Sequence, residues 1–497
     1  MQRLPNPYRD ELDIVLKCFR VLQNTHIATG ANTTHALDWP TVQMAATPWV
    51  QAVRRNPPPF WAMESLLKEY PISSAEGLAL MRLAEALLRV PDVQTAIALT
   101  ADQLGRADFG GASEAVLTRL SSAAISMGKH FLPEQEAAPG LMAKLGAKTV
   151  VAATLRAVQL LGKQFVLGQS IGEALQVASA SRKKTPANAQ PLRYSFDMLG
   201  EGARTQHDAD MYFAAYLNAI KSIAKYDHMT LTYGSKNVNT SLNGSEPDLR
   251  PRERDGISIK LSALHPRYEW AQQERVMQEL VPRVWQLCEC AARAGINLTI
   301  DAEEVERLEL SLDVFEALLK HVAAQYPGWT GLGLALQAYQ TRAVELVEHV
   351  ITLARKHRVQ LMCRLVKGAY WDAEIKRAQE LGLAHYPVFT HKNHTDVSYL
   401  ACARAMLAAS DCMYPQFATH NAGTIAAIKL LAPTLATACA ALPPVGALAP
   451  KGGLSALGLL ITTFAICAIA AIVPALCVAN CGYIQSDAAN RARAQAR

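Results

Sequence analysis

Ten consecutive residues, Cys363-Arg364-Leu365-Val366-Lys367-Gly368-Ala369-Tyr370-Trp371-Asp372, carry the densest chemistry of this chain. An apolar run through Val359, Leu361 and Met362 ends in two cations, a glycine and two aromatic rings. Cations hold anionic groups, the glycine lets backbone approach closely, and the rings can stack. That set suits a flat, anionic, redox-active ligand. The pattern repeats: further apolar runs close on Glu201, Lys260, Asp301 with Glu303, Gln337, Thr390 with Lys392, and Thr419 with His420. Taken singly, Lys260 reads as a solvated strand-end charge and Asp301 as a helix cap. Seven runs ending this way are better explained by convergence on one site, where carboxylates and cations pair while also receiving a phosphate or carboxylate.

The remaining reactive types are weaker. His391 and His394 are three apart, but the glutamate of an HExxH site is missing and no third ligand is evident. A solvated helix start is expected there, and no metal. Ten cysteines lie scattered without a CxxC pair, which reads as free thiols in a reducing cytosol.

Strands are expected at 193–199, 257–261, 297–300, 333–336, 360–365, 387–389 and 413–417, separated by helices such as 273–291 and 343–356. Repeated strand-helix units predict an α/β fold, a parallel sheet closed into a (β/α)8 barrel. A doubly wound sheet is the competitor, but its glycine-rich GxGxxG turn is absent. The region before about residue 182 reads as helices. Ser73-Ser74-Ala75-Glu76 has capping-box spacing before Leu80, Leu83, Leu87 and Val90, and a second run covers 141–167. Nothing there converges chemically, so a scaffold or oligomerisation arm is expected, which would give a homo-oligomer. The polar break 181–186 reads as a linker, and 226–255 as a long surface insertion.

At 497 residues the chain has room for two or three domains, and with 50% hydrophobic and 19% charged residues it is globular. The net charge of +6 includes Arg491, Arg493 and Arg497 at the end of the chain, so no basic stripe for nucleic acid is formed. The first twenty residues carry charges throughout and do not read as a secretory leader.

Seven segments together resemble the proline dehydrogenase half of the bifunctional proline utilization A flavoenzymes. They are 194–201 (YSFDMLGE), 256–268 (GISIKLSALHPRY), 301–308 (DAEEVERL), 337–339 (QAY), 364–372 (RLVKGAYWD), 395–403 (TDVSYLACA) and 414–422 (YPQFATHNA). The resemblance runs from the N-terminal helical arm to about Ile428. It implies a distorted (β/α)8 barrel that binds FAD noncovalently and oxidises L-proline to Δ1-pyrroline-5-carboxylate, passing electrons to a membrane quinone. By the same resemblance Arg364 meets the flavin N5 region, Lys260 the proline carboxylate, and Tyr370 the substrate ring. Asp301 orients the pocket, and Glu201 is a gate carboxylate that pairs with an arginine of the last barrel helix. Gln337, Val366, Gly368, Trp371, Thr390, Lys392, Thr419 and His420 line FAD. The location implied is cytoplasmic, with peripheral contact at the inner face of the membrane.

The chain departs from that pattern in several places. Gly423 replaces a usual histidine and His391 a usual arginine. The last strand and helix, with an Arg-Arg pair that clamps the substrate carboxylate, are not found beyond about Leu431, which would compromise proline turnover. The aldehyde dehydrogenase half and the DNA-binding module of some members are also not found, so no nucleic-acid partner is expected. The domains expected are a helical arm at 1–185, the barrel at 186–431 and an aberrant apolar tail at 432–497. A reading-frame change or truncated gene accounts best for that tail. A membrane anchor at 453–473 and a buried replacement for barrel elements are the other two readings. The functional alternative is a non-catalytic remnant acting as an assembly module.

Overall fold

The computed structural model describes residues 4–23, 37–55, 166–185, 192–234 and 251–432. Two compact units divide the chain, Met1–Arg55 with Gly168–Pro474, and Asn56–Leu167 with Ala475–Arg497. Every element below belongs to the first unit. Of the second, only residues 166–167 are described. The helix expected near residues 73–91, nearly all of that at 141–167, and the tail from 433 lie outside the described residues.

Strands β1 (Ser195–Asp197), β2 (Gly256–Ile259), β3 (Leu298–Ile300), β4 (Leu332–Gln337), β5 (Leu361–Val366) and β6 (Met413–Phe417) form one curled parallel sheet. They lie side by side in sequence order, each pairing with the next. A doubly wound sheet reverses direction at a switch point; strictly sequential order is that of a barrel wall. Helices alternate with the strands: α3 (Ile171–Lys184), α4 (Gln206–Gly234), α5 (Leu261–Leu264), α6 (Gln273–Ala294), α7 (Leu308–Gln325), α8 (Ala343–His357), α9 (Trp371–Glu380), α10 (Lys392–Ala408) and α11 (Ala422–Leu431). Two more, α1 (Glu11–Gln23) and α2 (Trp39–Arg55), precede them.

Period-two alternation sorts the strand residues onto two faces. Phe196, Ile257, Ile259, Leu298, Ile300, Leu334, Leu336, Leu361, Cys363, Leu365 and Met413 share one face, all buried, as expected of a sheet covered by helices. The other face carries Ser195, Asp197, Ser258, Thr299, Gly333, Ala335, Gln337, Arg364 and Gln416, whose register keeps them adjacent. A barrel wall that faces helices outward and ligand inward needs this polarity.

Three expectations are corrected. Residues 387–389 are not a sheet strand; Val388 makes only an isolated antiparallel bridge with Gln340. Pro387 has no N–H to donate, and the edge of β5 is already taken by β6. The expected insertion at 226–255 begins as helix, since α4 continues to Gly234. The expected linker begins inside α3, which runs through Ser181–Lys184 and is pinned where Arg182 pairs with the buried Asp255. No helix among the described residues is long and apolar enough to cross a membrane.

The N-terminal segment straps the outside of the wall. Helix α1 packs on α10 and α2 on α11. Arg9 donates to Glu345 (3.2 Å) and to the Thr341 carbonyl (2.7 Å), Lys17 pairs with Glu345 (3.0 Å), and the buried Arg404 donates to the Leu22 carbonyl (2.7 Å).

Candidate active site

On the polar face three strand ends are tied by charge. Lys260, the residue after β2, places Nζ 3.0 Å from Asp301 Oδ2 and 3.3 Å from Asp197 Oδ2. Arg364 on β5 donates from Nη1 to Ser258 Oγ (2.9 Å) and from Nη2 to Ser195 Oγ (2.6 Å), with Asp301 Oδ1 at 3.7 Å. Two hydroxyls and one carboxylate fix a guanidinium that is 7% exposed, so its planar fork is set before any ligand arrives. Burial alone would lower the Lys260 pKa, but the charges of Asp301 and Asp197 outweigh it and hold the ammonium charged. Burial, reinforced by the neighbouring Asp301, pushes Asp197 up to about 7, and Lys260 offsets this only partly. Tyr216 of α4 closes the back of the cluster, its hydroxyl accepting the Lys260 N–H at 3.3 Å.

Above this cluster the turn after β5 is held open by glycine. Gly368 has φ +145°, and a Cβ there would lie 2.4 Å from the Tyr339 ring. The Gln337 side chain donates to the Glu303 carbonyl (2.8 Å) and accepts from the Ala369 N–H (3.2 Å), bracing the turn next to Val366, its register partner. Trp371 Nε1 donates to the Phe389 carbonyl at 2.9 Å. The Tyr370 hydroxyl donates to Glu201 Oε2 at 2.9 Å. Burial and the Glu201 charge push that phenol well up, so it stays a donor at all ordinary pH. A small pocket lies beside Asp301, lined also by Tyr268, Glu303 and Ala335.

A second, cationic group lies at the ends of β5 and β6 and the start of α10. Lys367 and Lys392 both pair with Asp396, Lys392 at 2.7 Å. Burial and the charges of these two lysines hold His420 below the usual histidine range. The Thr419 hydroxyl accepts the Asn421 N–H (3.2 Å), and Thr390 is bound by Glu11.

The residues present fit an anionic flavin dinucleotide. Lys367, Lys392 and His420 gather cationic and ring N–H groups suited to phosphate oxygens, and the Gly368 turn gives close backbone access. Two buried oxygens on the polar face, Asp197 Oδ1 and Gln416 Oε1, have no hydrogen-bond partner among the described residues, and Gln416 is the register partner of Arg364. Orphaned acceptors at this place are what a ligand N–H would satisfy.

The structure brings Lys260, Asp301 and Arg364 together, joins Tyr370 to Glu201, and places Gln337, Val366, Gly368 and Trp371 around the same turn. Asp301 does not cap a helix; its carboxylate is spent on Lys260. Glu201 is expected opposite an arginine of the last barrel helix, and among the described residues its partner is Tyr370. Ser195, Asp197 and Ser258 are absent from the expected set because the strand expected at 193–199 runs past Ser195 and Asp197, the two ends of β1, and Ser258 stands inside β2. The alternation Ser195-x-Asp197, Ser258-x-Lys260 and Thr299-x-Asp301 was the available signal.

A family model described as "Proline dehydrogenase" matches residues 180–441, more than half of the chain. A second, described as "DNA-binding domain of Proline dehydrogenase", matches residues 62–165. That corrects the expectation that no such module is present, at the level of sequence similarity; these residues lie outside the described ones. The bifunctional protein PutA of Escherichia coli is 43% identical over 379 residues, covering 74% of this chain and 27% of that protein. The PutA of Rhizobium meliloti is 40% identical over 380 residues, covering 74% and 28%. The chain thus spans about a quarter of the length of these curated relatives. A solved proline utilization A, described with proline bound in remote sites, superposes with TM-score 0.58 at 41% identity, covering 86% of this chain and 40% of that one.

Proposed function

The chain belongs to the proline dehydrogenase family, and from that premise we propose that its polar sheet face binds FAD and L-proline side by side and oxidises proline to Δ1-pyrroline-5-carboxylate. The observation that carries the proposal is the pinned cation pair, Arg364 on two serines and Lys260 between two carboxylates, at the inner ends of β2, β3 and β5. When bound, FAD supplies a two-electron acceptor for the hydride on the ring carbon beside the substrate nitrogen, and a membrane quinone then takes the electrons.

The chain's own residues supply the electrostatics. Lys260, kept charged by Asp197 and Asp301, receives the proline carboxylate. Arg364 presents a fixed positive charge where negative charge develops on the acceptor, and its hydroxyl partners remove the need to reorganise during reaction. Asp197 can hold or release a proton near neutral pH at Oδ1, which has no hydrogen-bond partner among the described residues. Tyr370, oriented by Glu201, packs on the substrate ring. Lys367, Lys392 and His420 hold the dinucleotide phosphates, with Gln337, Val366, Gly368, Trp371, Thr390 and Thr419 lining the rest. We propose the location that the resemblance implies, the cytoplasm with peripheral contact at the inner face of the membrane, where a quinone is reached.

Support comes from a relative named as a bifunctional PutA and from a solved proline utilization A of the same fold, together with the match of charge and polarity to such a reaction. The test is turnover by the full chain reconstituted with FAD, given L-proline and a soluble quinone, with the pyrroline product trapped and quantified. Product that requires FAD and L-proline is expected. A flavin-loaded protein that forms none would sink the proposal.

A further inference from the structure

The strongest unexplained contact is made by Glu11, the first residue of α1, about 380 positions from its partners. Its carboxylate accepts from the Thr390 N–H (3.0 Å), the Thr390 hydroxyl (2.6 Å) and the His391 N–H (3.4 Å), and it meets His394 Nδ1 at 2.5 Å. His391 Nδ1 lies 3.0 Å from the Thr390 hydroxyl, and the one carboxylate gathers Thr390, the His391 N–H and His394 at the entrance to α10. That entrance has no cap of its own, since His391 at the N-cap position makes no side-chain capping bond. Helix starts leave several N–H groups without intrahelical partners. Here Glu11, from another element, accepts the N–H of the N-cap residue His391 and that of Thr390 before it.

The turn matters because of what it carries. Thr390 and Lys392 flank His391, and Lys392 shares Asp396 with Lys367 beside His420. The rest of the strap is anchored elsewhere: Arg9 and Lys17 on Glu345, and the Thr341 hydroxyl on the Pro7 carbonyl (2.5 Å). Glu11 is the one strap residue among these whose side chain reaches the Thr390 turn. Glu11, His391 and His394 also lie close enough together to be weighed as metal ligands. However, both oxygens of Glu11 are already bound by Thr390 and His394, the arrangement of a carboxylate clamp rather than of an open coordination site.

We propose that Glu11 is a positioning residue for the cofactor: the N-terminal strap clamps the Thr390–His394 turn and so sets Thr390 and Lys392 in place to bind FAD. The proposal rests on the functional reading above for the identity of the ligand, and on the contacts alone for the clamp. It also gives the helical arm a part in the site, where sequence analysis found only scaffold.

The test has two arms, both on the full chain. In the first, FAD is titrated into flavin-free protein and its fluorescence quenching gives the dissociation constant. Glu11→Ala is expected to weaken FAD about tenfold, roughly what losing one charge-assisted bond is worth, with Glu11→Gln in between. Lys17→Ala, which loosens the strap away from the turn, is expected to leave the constant unchanged. In the second arm, hydrogen exchange of the peptide spanning 388–395 is followed without FAD. Exchange should speed up about tenfold in Glu11→Ala and stay unchanged in Lys17→Ala. Equal losses in the two variants would show that Glu11 acts only through general docking of the strap, overturning the proposal, as would wild-type values in Glu11→Ala. An effect abolished by EDTA would assign the cluster to a metal ion instead. If the wild type itself takes up no FAD, the functional reading fails, and the exchange arm still decides whether Glu11 holds the turn.

Discussion

Asp197 faces Lys260 from a site where a second carboxylate, Asp301, claims the same ammonium. Its pKa rises from 3.8 to about 7, mainly through burial and then through Asp301. The shift of about three units corresponds to on the order of 4 kcal/mol between the two protonation states. The unfolded chain releases this proton near its ordinary value and the folded chain only near 7. Between those values the folded state binds more protons, so stability falls as pH rises and the loss is complete above about 7. Asp197→Asn keeps the shape and removes the titration. Urea unfolding of flavin-free protein, followed by tryptophan fluorescence from about pH 4 to about pH 8, gives the comparison. Wild type should lose on the order of 4 kcal/mol more than the variant across that range. The variant should then be the more stable protein above neutrality and the slower one with L-proline, a trade of stability against function. Stability profiles of the two proteins that run parallel within about 0.5 kcal/mol would refute the reasoning.

Gly368→Ala should destabilise the fold by about 1–3 kcal/mol, because a Cβ at φ +145° is strained and meets the Tyr339 ring; a thermal melt checks it. Tyr370→Phe removes the bond to Glu201 and should raise the KM for proline severalfold, about 1 kcal/mol, with little change in kcat. A KM equal to wild type would show that the pair does not shape the substrate site. Arg182→Ala leaves Asp255, which is 3% exposed, with a buried charge and, among the described residues, the Tyr194 N–H (2.9 Å) in support. The expected cost is about 3–5 kcal/mol in chemical denaturation, as for other broken buried pairs.

The strand ends were legible in the sequence because an apolar run that stops on a charge reports both a strand and its exit. Lys260, Asp301 and Arg364 were found that way, and β6 fell on the expected residues 413–417. Asp197 was not, because the strand expected at 193–199 runs past it, whereas β1 ends on Asp197 and the pairing register shows which face it shares. The segment 387–389 has strand composition, yet Pro387 and the prior claim of β6 on β5 leave it a single bridge. Local pattern cannot report a competition between distant partners. The Glu11 contact is the extreme case: a carboxylate on an amphipathic helix reads as a solvated first-turn acid, and only folding brings it to Thr390. Sequence analysis likewise set His391 and His394 aside as a solvated helix start, where the structure shows a clamped one.

The central claim is that the Arg364 and Lys260 cluster faces a flavin on one side and proline on the other. Anaerobic titration of the FAD-loaded chain with L-proline, read as bleaching of the flavin's visible spectrum, tests it most directly. The account predicts complete bleaching by L-proline in the wild type. In Lys260→Ala the midpoint should move to at least about tenfold higher proline, since a desolvated charge partner of the carboxylate is lost. A flavin spectrum indifferent to L-proline, or a midpoint unchanged in Lys260→Ala, would contradict it.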